Sequence, residues 1–139
     1  MNKSNSAMVP ELTVTDFSNS LDFYTNTLGF KVRNLRENPN FAYLIKENVQ
    51  LMLEQSHEDG WNIAVTSYPM GNGINLQMQL IDIEPLYQRL KADKIVFYRE
   101  LKEVWYDIGD ELSGRKEFLL QDPDGYLLRF SQFLGERNK

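Results

Sequence analysis

A β-α-β-β-β pattern that occurs twice along the chain constrains the fold more than any other feature. In the first copy, strand-like alternation at Val9–Thr15 leads into a helical segment that is capped by Asp16 and ends at Gly29. The apolar positions of that segment share one helical face: Phe17, Leu21, Tyr24 and Leu28. Strand-like segments follow at Phe30–Leu35, Phe41–Lys46 and Val49–Gln55, with turn-forming residues between them. This order predicts one βαβββ module.

The same order returns after an aperiodic stretch, Ser56–Gly73. Ile74–Ile81 predicts a strand, and Asp82 predicts the cap of a helix whose apolar face comprises Ile83, Leu86, Tyr87 and Leu90. The remaining strand candidates are Ile95–Leu101, a segment around Val104–Ile108, Lys116–Gln121 and Tyr126–Gln132. Between the last two, Asp122-Pro123-Asp124-Gly125 predicts a hairpin turn, because Pro presets φ and Gly accepts a positive φ. We expect the polar tail from Gly135 to fray.

The two copies match each other position by position. Placing Val9 on Asn75, an offset of 66 residues, also places the cap Asp16 on the cap Asp82. We therefore predict an α+β domain of two βαβββ modules, at residues 8–55 and 74–133, joined by a linker at 56–73. Each module leaves one face of its sheet open, and two such faces can form a curved mixed sheet that lines a cleft. A chain of 139 residues can bury a core without disulfides.

The composition excludes several classes of function. The chain has no cysteine, which rules out disulfides, thiolate metal centres and thiol nucleophiles. Its net charge of −5 disfavours nucleic acids and anionic membranes as partners and favours neutral or cationic ligands. No apolar run approaches the roughly 20 residues of a transmembrane helix. The polar start Met1–Ala7 lacks the apolar core of a secretory signal, so we expect a cytoplasmic protein.

Period-two alternation predicts which strand residues share the polar face of each sheet. That face comprises Glu11 and Thr13 on the first strand, Gln50, Met52 and Glu54 on the fourth, Asn75, Gln77 and Gln79 on the fifth, and Leu127, Arg129 and Ser131 on the eighth. Two interpretations are open: the face contacts water, as in many antiparallel sheets, or it lines a ligand cleft. Arg129 has two corresponding roles, an ordinary salt bridge with Glu11 or Glu54, or a clamp for an anionic or planar ligand.

Aromatic residues outside the predicted core are further ligand-binding candidates. They lie on predicted loops or on strands with the pattern of edges: Phe41, Tyr43, Trp61, Trp105 and Tyr106. Stacking on a flat cation would contribute about 0.5–2 kcal/mol per contact. A dimer interface is the alternative, because Trp and Tyr are enriched in interfaces. His57 lies in a polar loop and is expected to be exposed.

Two segments resemble the opening and closing signatures of the vicinal oxygen chelate superfamily. The first runs from Leu12-Thr13-Val14-Thr15-Asp16-Phe17 through Ser20-Leu21-Asp22-Phe23-Tyr24 to Leu28-Gly29-Phe30-Lys31-Val32. The second is Glu117–Phe130, which ends in Asp122-Pro123-Asp124-Gly125-Tyr126-Leu127-Leu128-Arg129-Phe130. That superfamily includes glyoxalase I, extradiol dioxygenases, fosfomycin-resistance enzymes and bleomycin-resistance proteins. The resemblance, which covers residues 8–133, implies paired βαβββ modules, a cleft and commonly a homodimer.

The resemblance also implies four metal-ligand positions, one on each of four strands. In this chain they fall at Val9, Met52, Asn75 and Arg129. Val has no donor atom, Met suits soft Cu(I), Asn is a weak ligand for a transition metal, and Arg repels cations. The chain is therefore most similar to the metal-free bleomycin-resistance-like proteins, which give antibiotic resistance by binding a drug without transforming it.

Three functions follow as hypotheses. The first is a cofactor-free protein that sequesters a planar or cationic small molecule in the cleft of a homodimer, without catalytic residues or metal ligands. The second is a metal-dependent lyase, isomerase or dioxygenase of the same superfamily, and the third is a module whose polar face docks another protein. The first hypothesis predicts these ligand-binding residues: Glu11, Thr13, Tyr43, Met52, Glu54, Trp61, Asn75, Gln77, Trp105 and Arg129.

Overall fold

The computed structural model describes residues 5–139, which divide into two compact units. The first unit contains the described residues up to Met70 together with Asp122–Gly125, and the second contains Gly71–Gln121 and Tyr126–Lys139. The prediction that Met1–Ala7 is no secretory signal falls partly on residues 1–4, which lie outside the described residues. Within residues 5–139, no helix has the length and apolar character needed to cross a membrane.

The first unit is a βαβββ module. Its elements are β1 (Glu11–Val14), α1 (Phe17–Asp22), a π-helical segment (Phe23–Thr27), β2 (Lys31–Arg36), β3 (Phe41–Lys46) and β4 (Val49–Gln55). The strands form the first sheet in the order β1-β4-β3-β2, in which β1 runs parallel to β4 and the other pairs are antiparallel. On β1 and β4 the apolar parity is buried, as Leu12, Leu51 and Leu53 show, and the polar parity is exposed or half-buried.

The helix of the first unit begins as predicted and ends differently. The side chain of Asp16 accepts a hydrogen bond from the Asn19 backbone at 3.2 Å, which confirms the predicted cap. The Leu28 amide donates to the Phe23 carbonyl at 2.9 Å, five residues back, so the last turn is wider than an α-helical turn. Leu28 remains fully buried in this wider turn, and Gly29 ends the helix with φ at 85°.

The second unit repeats the order of the first. Its elements are β5 (Asn75–Gln79), α2 (Glu84–Ala92), β6 (Arg99–Asp107), β7 (Glu111–Gln121) and β8 (Leu127–Asn138). They form the second sheet in the order β5-β8-β7-β6, with β5 parallel to β8 and the other pairs antiparallel. The core combines Leu86 and Leu90 of α2 with Phe118 and Phe130 of the sheet, and all four side chains are buried.

Two strand predictions in the second unit were wrong. The candidates Ile95–Leu101 and Val104–Ile108 form one strand, Arg99–Asp107, because a register shift between Arg99 and Lys102 absorbs the irregular pattern. The tail does not fray after Gly135, because β8 continues to Asn138, which pairs with Glu111. Backbone pairing with β7 maintains a strand that the polar sequence did not predict.

The predicted cap of α2 also needs correction. The helix begins at Glu84, and its cap position is Ile83 rather than Asp82. Asp82 still satisfies one helix-end donor, since its carboxylate accepts a hydrogen bond from the Glu84 amide at 3.0 Å. The α+β class and the two βαβββ modules are confirmed, while the shared cleft and the dimer stay predictions.

Candidate functional site

A cluster of Arg129, Glu117 and Tyr106 lies on the polar face of the second sheet. Glu117 is only 5% exposed and accepts hydrogen bonds from both other members of the cluster. Arg129 donates to it through Nε and, at 3.2 Å, through Nη2, in a two-point ion pair. The Tyr106 hydroxyl donates to the same carboxylate at 2.5 Å. Arg129 also donates to the Tyr106 hydroxyl through Nη2, at 3.4 Å. Three neighbouring strands, β6, β7 and β8, thus supply one side chain each.

The ion pair determines the protonation of this cluster. Burial by itself would raise the pKa of Glu117, but the hydrogen bonds from Arg129 and Tyr106 outweigh it and hold the pKa below its ordinary value of 4.5. By accepting their hydrogen bonds, Glu117 raises the pKa of both Tyr106 and Arg129. Near pH 7 the cluster therefore holds a carboxylate, a guanidinium and a neutral phenol.

A cavity of about 450 Å³ adjoins the cluster within the second unit. Tyr106 and Glu117 belong to both, and the other lining residues are Arg99, Glu100, Leu101, Lys102, Val104 and Leu119. The volume falls in the range of roughly 300–1,000 Å³ that small-molecule sites occupy. Its lining combines apolar residues with charged ones, so it can hold a flat or partly charged molecule.

Two of the predicted residues share the face of Arg129. Gln77 is its partner in the parallel pairing of β5 with β8, and Asn75 pairs with Leu127 two positions earlier. Residues two apart on a strand point to the same side, so Asn75, Gln77 and Arg129 lie on one face. The shared face agrees with the predicted strand parity, and the role of these residues in ligand binding stays a prediction.

The structure places Trp105 away from that group. Trp105 follows Val104 and precedes Tyr106 on β6, so its side chain points to the opposite side of the strand from Tyr106. There the ring covers Gly114 and lies under the Arg137 guanidinium, 3.9 Å from its carbon. Its Nε1 donates to Glu103 at 2.9 Å. Trp105 therefore packs the β6–β7–β8 ribbon in this unit.

The predicted residues of the first unit also gather on one face. Met52 of β4 pairs with Glu11 of β1 on one side and with Tyr43 of β3 on the other. Thr13 and Glu54 form the next pair along the same two strands. The five side chains occupy adjacent positions of one polar face.

The surroundings of Glu11 on this face disfavour its charged form. Burial and then the negative charge of Glu54 raise the pKa of Glu11 above its ordinary value of 4.5, while Arg36 and His57 oppose the shift. His57 is half-buried rather than exposed as expected, because its Nε2 lies 2.8 Å from Glu54 Oε1. A cationic group bound here would relieve the repulsion between the two carboxylates.

The aromatic candidates of the first unit differ in exposure. Tyr43 is 7% exposed, because β3 lies inside the sheet and not at its edge as the sequence suggested. Its hydroxyl donates to Gln50 at 2.6 Å, and Arg33 covers its ring at 4.5 Å. Trp61 is 94% exposed on a loop that a hydrogen bond of 3.2 Å from Thr13 to Asn62 fastens to β1.

The four positions implied by the resemblance do not fit a metal ion. Val9 has no donor and precedes β1, Met52 offers a soft thioether, and Asn75 is exposed at the start of β5. The fourth, Arg129, is a cation already paired with Glu117. Within residues 5–139, no three His, Cys, Asp or Glu side chains group in a way that could hold a metal.

Glu117 is the residue of the candidate site that the sequence reasoning missed. Glu11 and Glu54 were the expected partners of Arg129, and the observed partner is Glu117. The position of the Asp122–Gly125 turn could have identified Glu117, because the turn sets the register of the hairpin. In that register Arg129 pairs with Leu119, and Glu117 lies diagonally opposite Arg129 on the same face. Tyr106 was considered as an aromatic candidate, but its hydrogen bond to Glu117 could not be read from local alternation.

Comparisons with known proteins agree with this architecture. The chain is 27% identical over 133 residues to a bleomycin resistance protein of Geobacillus stearothermophilus, covering 89% of this chain and 94% of that protein. It is also 27% identical over 124 residues to a lactoylglutathione lyase of Salmonella typhimurium, covering 83% of each.

A solved structure supports the same assignment. A glyoxalase/bleomycin resistance protein/dioxygenase from Alicyclobacillus acidocaldarius matches with a TM-score of 0.66 at 26% identity, covering 97% of this chain and 96% of that one. Residues 6–130 match the family profile described as the Glyoxalase/Bleomycin resistance protein/Dioxygenase superfamily. With its two βαβββ modules and a match over nearly its whole length, the chain belongs to the glyoxalase/bleomycin resistance protein/dioxygenase superfamily.

Proposed function

We propose that this protein binds and sequesters a small molecule without a metal ion, as a protein of the bleomycin-resistance type. The observation that carries the proposal is the ion pair between Arg129 and the buried Glu117. Arg129 stands at a position where the resemblance implies a metal ligand, and its fixed positive charge opposes a divalent cation. The Arg129 guanidinium thus places a fixed positive charge at this position without a bound metal ion.

The ligand class follows from the charges of the first unit. Glu11 and Glu54 lie on one face, and their repulsion favours a ligand that carries a positive group. Trp61, which is 94% exposed, supplies a flat surface on which such a ligand can stack. These features support a planar or cationic ligand, and the similarity to bleomycin resistance proteins names bleomycin as the first probe.

Thermal melting with bleomycin tests this function. We expect a saturating rise in the melting temperature, since a ligand at 100 times its Kd adds about 2.7 kcal/mol of stability. Elemental analysis of the same protein should find no stoichiometric divalent metal. Glu54→Gln should reduce the ligand-induced shift, whereas Glu37→Gln, a change at an exposed turn residue, should leave it unchanged. A stoichiometric metal whose removal by chelator also abolishes ligand binding would contradict the proposal.

A metal-dependent lyase is the second candidate, because of the similarity to a lactoylglutathione lyase. Turnover of lactoylglutathione with added Ni²⁺, Zn²⁺, Mg²⁺ or Mn²⁺ would support it. Arg129→Gln removes the opposing positive charge, so any such activity should rise in that variant if a metal binds nearby. Absence of turnover in both proteins under all four metals would exclude this lyase activity.

The homodimer and the cytoplasmic location belong to the same proposal. Exposed aromatic and aliphatic side chains such as Trp61 and Ile63 give a second copy a surface to cover. Sedimentation velocity and cell fractionation test these two points separately from ligand binding.

A further inference from the structure

We infer that a pocket at the β2 end of the first sheet binds small amphipathic anions, molecules with an apolar body and one carboxylate or sulfonate. The pocket has a volume of about 540 Å³ and lies between the start of β2 and the end of β3. None of its lining residues is among the ligand-binding residues proposed above, so this inference does not rest on the proposed function.

A β-bulge shapes this pocket. The pairing of β2 with β3 shifts between Val32 and Asn34, which leaves Arg33 as an extra residue on the edge strand. In a regular strand, Lys31 and Arg33 would share one side and Val32 would point to the other. In this strand, all three line the same cavity. Three successive residues of the bulged strand, the apolar Val32 and the cationic Lys31 and Arg33, therefore border one volume.

The floor of the pocket is apolar. Val32 is 41% exposed although it is a branched aliphatic residue, and the half-buried Ile45 lies opposite Lys31 on β3. Gly29, with φ at 85°, brings bare backbone to the wall where any other residue would add a side chain. Covering this apolar surface with the body of a ligand would be favourable by the hydrophobic effect.

The rim of the pocket is cationic in a chain that is acidic overall. Lys31, Arg33 and Lys46 line it against a single carboxylate, Glu47, whereas the whole chain carries a net charge of −5. Lys31 forms no ion pair with any residue between 5 and 139. Arg33 donates to Asn5 at 2.5 Å and stacks on Tyr43, and neither partner neutralises its charge. An anionic head group is the complement of this rim.

Fluorescence titration with 8-anilinonaphthalene-1-sulfonate tests the inference on the full chain. Its uncharged analogue N-phenyl-1-naphthylamine has the same aromatic body without the sulfonate. We expect Lys31→Gln/Arg33→Gln to weaken sulfonate binding about ten-fold and to change binding of the neutral analogue little. Lys94→Gln/Lys139→Gln removes two exposed cations of the second unit that line neither cavity, and should leave both affinities unchanged.

The location of the ligand gives a second readout. In an amide NMR spectrum, 1-naphthoate should shift the signals of Gly29 and Ile45, and the shifts should disappear in Lys31→Gln/Arg33→Gln. Thermal melting of both double variants verifies that these exposed substitutions leave the fold intact. Equal sulfonate affinity of the wild type and Lys31→Gln/Arg33→Gln would overturn the inference. So would an equal loss in the Lys94→Gln/Lys139→Gln control, or tighter binding of the neutral analogue than of the sulfonate.

Discussion

At the scale of single residues, Glu117 stays charged while almost fully buried because Arg129 and Tyr106 both donate to it. An unpaired carboxylate at this depth would instead take up a proton. The cost of burying the charge is thus offset only while both donors are present, and removing the carboxylate leaves a guanidinium with no countercharge.

Glu117→Gln should lower the free energy of unfolding at pH 7 by about 2 kcal/mol, because hydrogen bonds to charged groups contribute roughly 1.5–3 kcal/mol. Urea denaturation measures this change. Since the folded-state pKa of Glu117 is lowered, its stabilisation is complete above the unfolded-state pKa near 4.5 and is lost as the pH falls through the folded-state value. The gap between wild type and variant should therefore close in acid. A gap that is constant from pH 7 to pH 3 would contradict the ion pair, and Glu111→Gln, at an exposed position of the same strand, serves as the control.

Glu11 should behave in the opposite way. Burial and Glu54 raise its folded-state pKa, so the folded state binds its proton more tightly and loses stability as the pH rises through that value. Glu11→Gln should therefore raise the melting temperature at pH 7 and have less effect at pH 4. Differential scanning calorimetry at the two pH values measures both changes in melting temperature. A lower melting temperature at pH 7 would show that the carboxylate has a stabilising partner.

At the scale of elements, glycines allow close packing at two points, one in each unit. Gly114 of β7 is the register partner of Trp105 on the neighbouring strand β6, and the Trp105 ring lies directly over it. Gly125 has φ at 93° in the turn between β7 and β8, and its α-carbon faces Pro69. At Gly114 only the neighbouring Trp105 ring excludes a side chain. At Gly125 both the close approach of Pro69 and the positive φ disfavour one.

Gly114→Ala should destabilise the protein by about 1–3 kcal/mol through overpacking, because the added Cβ would lie 2.5 Å from two carbons of the Trp105 ring. Urea denaturation followed by tryptophan fluorescence reports both the stability and the ring's surroundings. In a Trp105→Leu background the same substitution should cost much less. An equal cost in both backgrounds would assign the effect to the backbone of β7.

Gly125→Ala should cost about 3 kcal/mol, because backbone strain and a contact of 2.8 Å with Pro69 act together. Gly109→Ala is the matched control, since Gly109 also has a positive φ, 111°, but no atom lies within 4 Å of its added Cβ. The control should lose only about 1 kcal/mol of stability. Chemical denaturation of both variants separates the strain from the steric clash, and equal losses would show that the contact with Pro69 contributes nothing.

At the scale of the whole molecule, one loop of the first unit exposes four large apolar or aromatic side chains. Trp61, Ile63 and Val65 are each more than 90% exposed, and Tyr68 is 67% exposed. They alternate with smaller or polar residues, so several of them can point to one side. Surfaces of this kind typically mark interaction sites, and a second copy of the chain is the partner that the predicted homodimer supplies.

Trp61→Ser/Ile63→Ser should raise the dissociation constant of that dimer at least about ten-fold, since an aromatic anchor commonly contributes about 2 kcal/mol or more to an interface. Sedimentation equilibrium over a range of protein concentrations measures the constant. Ile81→Ser, which removes an equally exposed side chain from the second unit, is the control. A dimer that weakens with Ile81→Ser and not with the double variant would place the interface elsewhere.

Much of the architecture could be read from local patterns. Alternation identified β3 and β4 to the residue, a side-chain oxygen and a glycine marked the two ends of the first helix, and the Asp122–Gly125 turn set the last hairpin. These features depend on neighbours within a few positions, where steric preference and periodicity act directly on the chain. The polar parity of each sheet followed from the same argument, and with it the grouping of Glu11 with Met52 and of Gln77 with Arg129.

Only the tertiary structure decided which partners the buried polar groups have and where the irregular strands run. Arg129 pairs with Glu117, twelve residues away, rather than with Glu11 or Glu54, because the register between β7 and β8 brings that carboxylate diagonally beside it. The bulge at Arg33 and the extension of β8 to Asn138 depend on hydrogen bonds from neighbouring strands, which a one-dimensional pattern does not specify. Periodicity determines which side a residue faces, and packing between distant segments determines what it meets there.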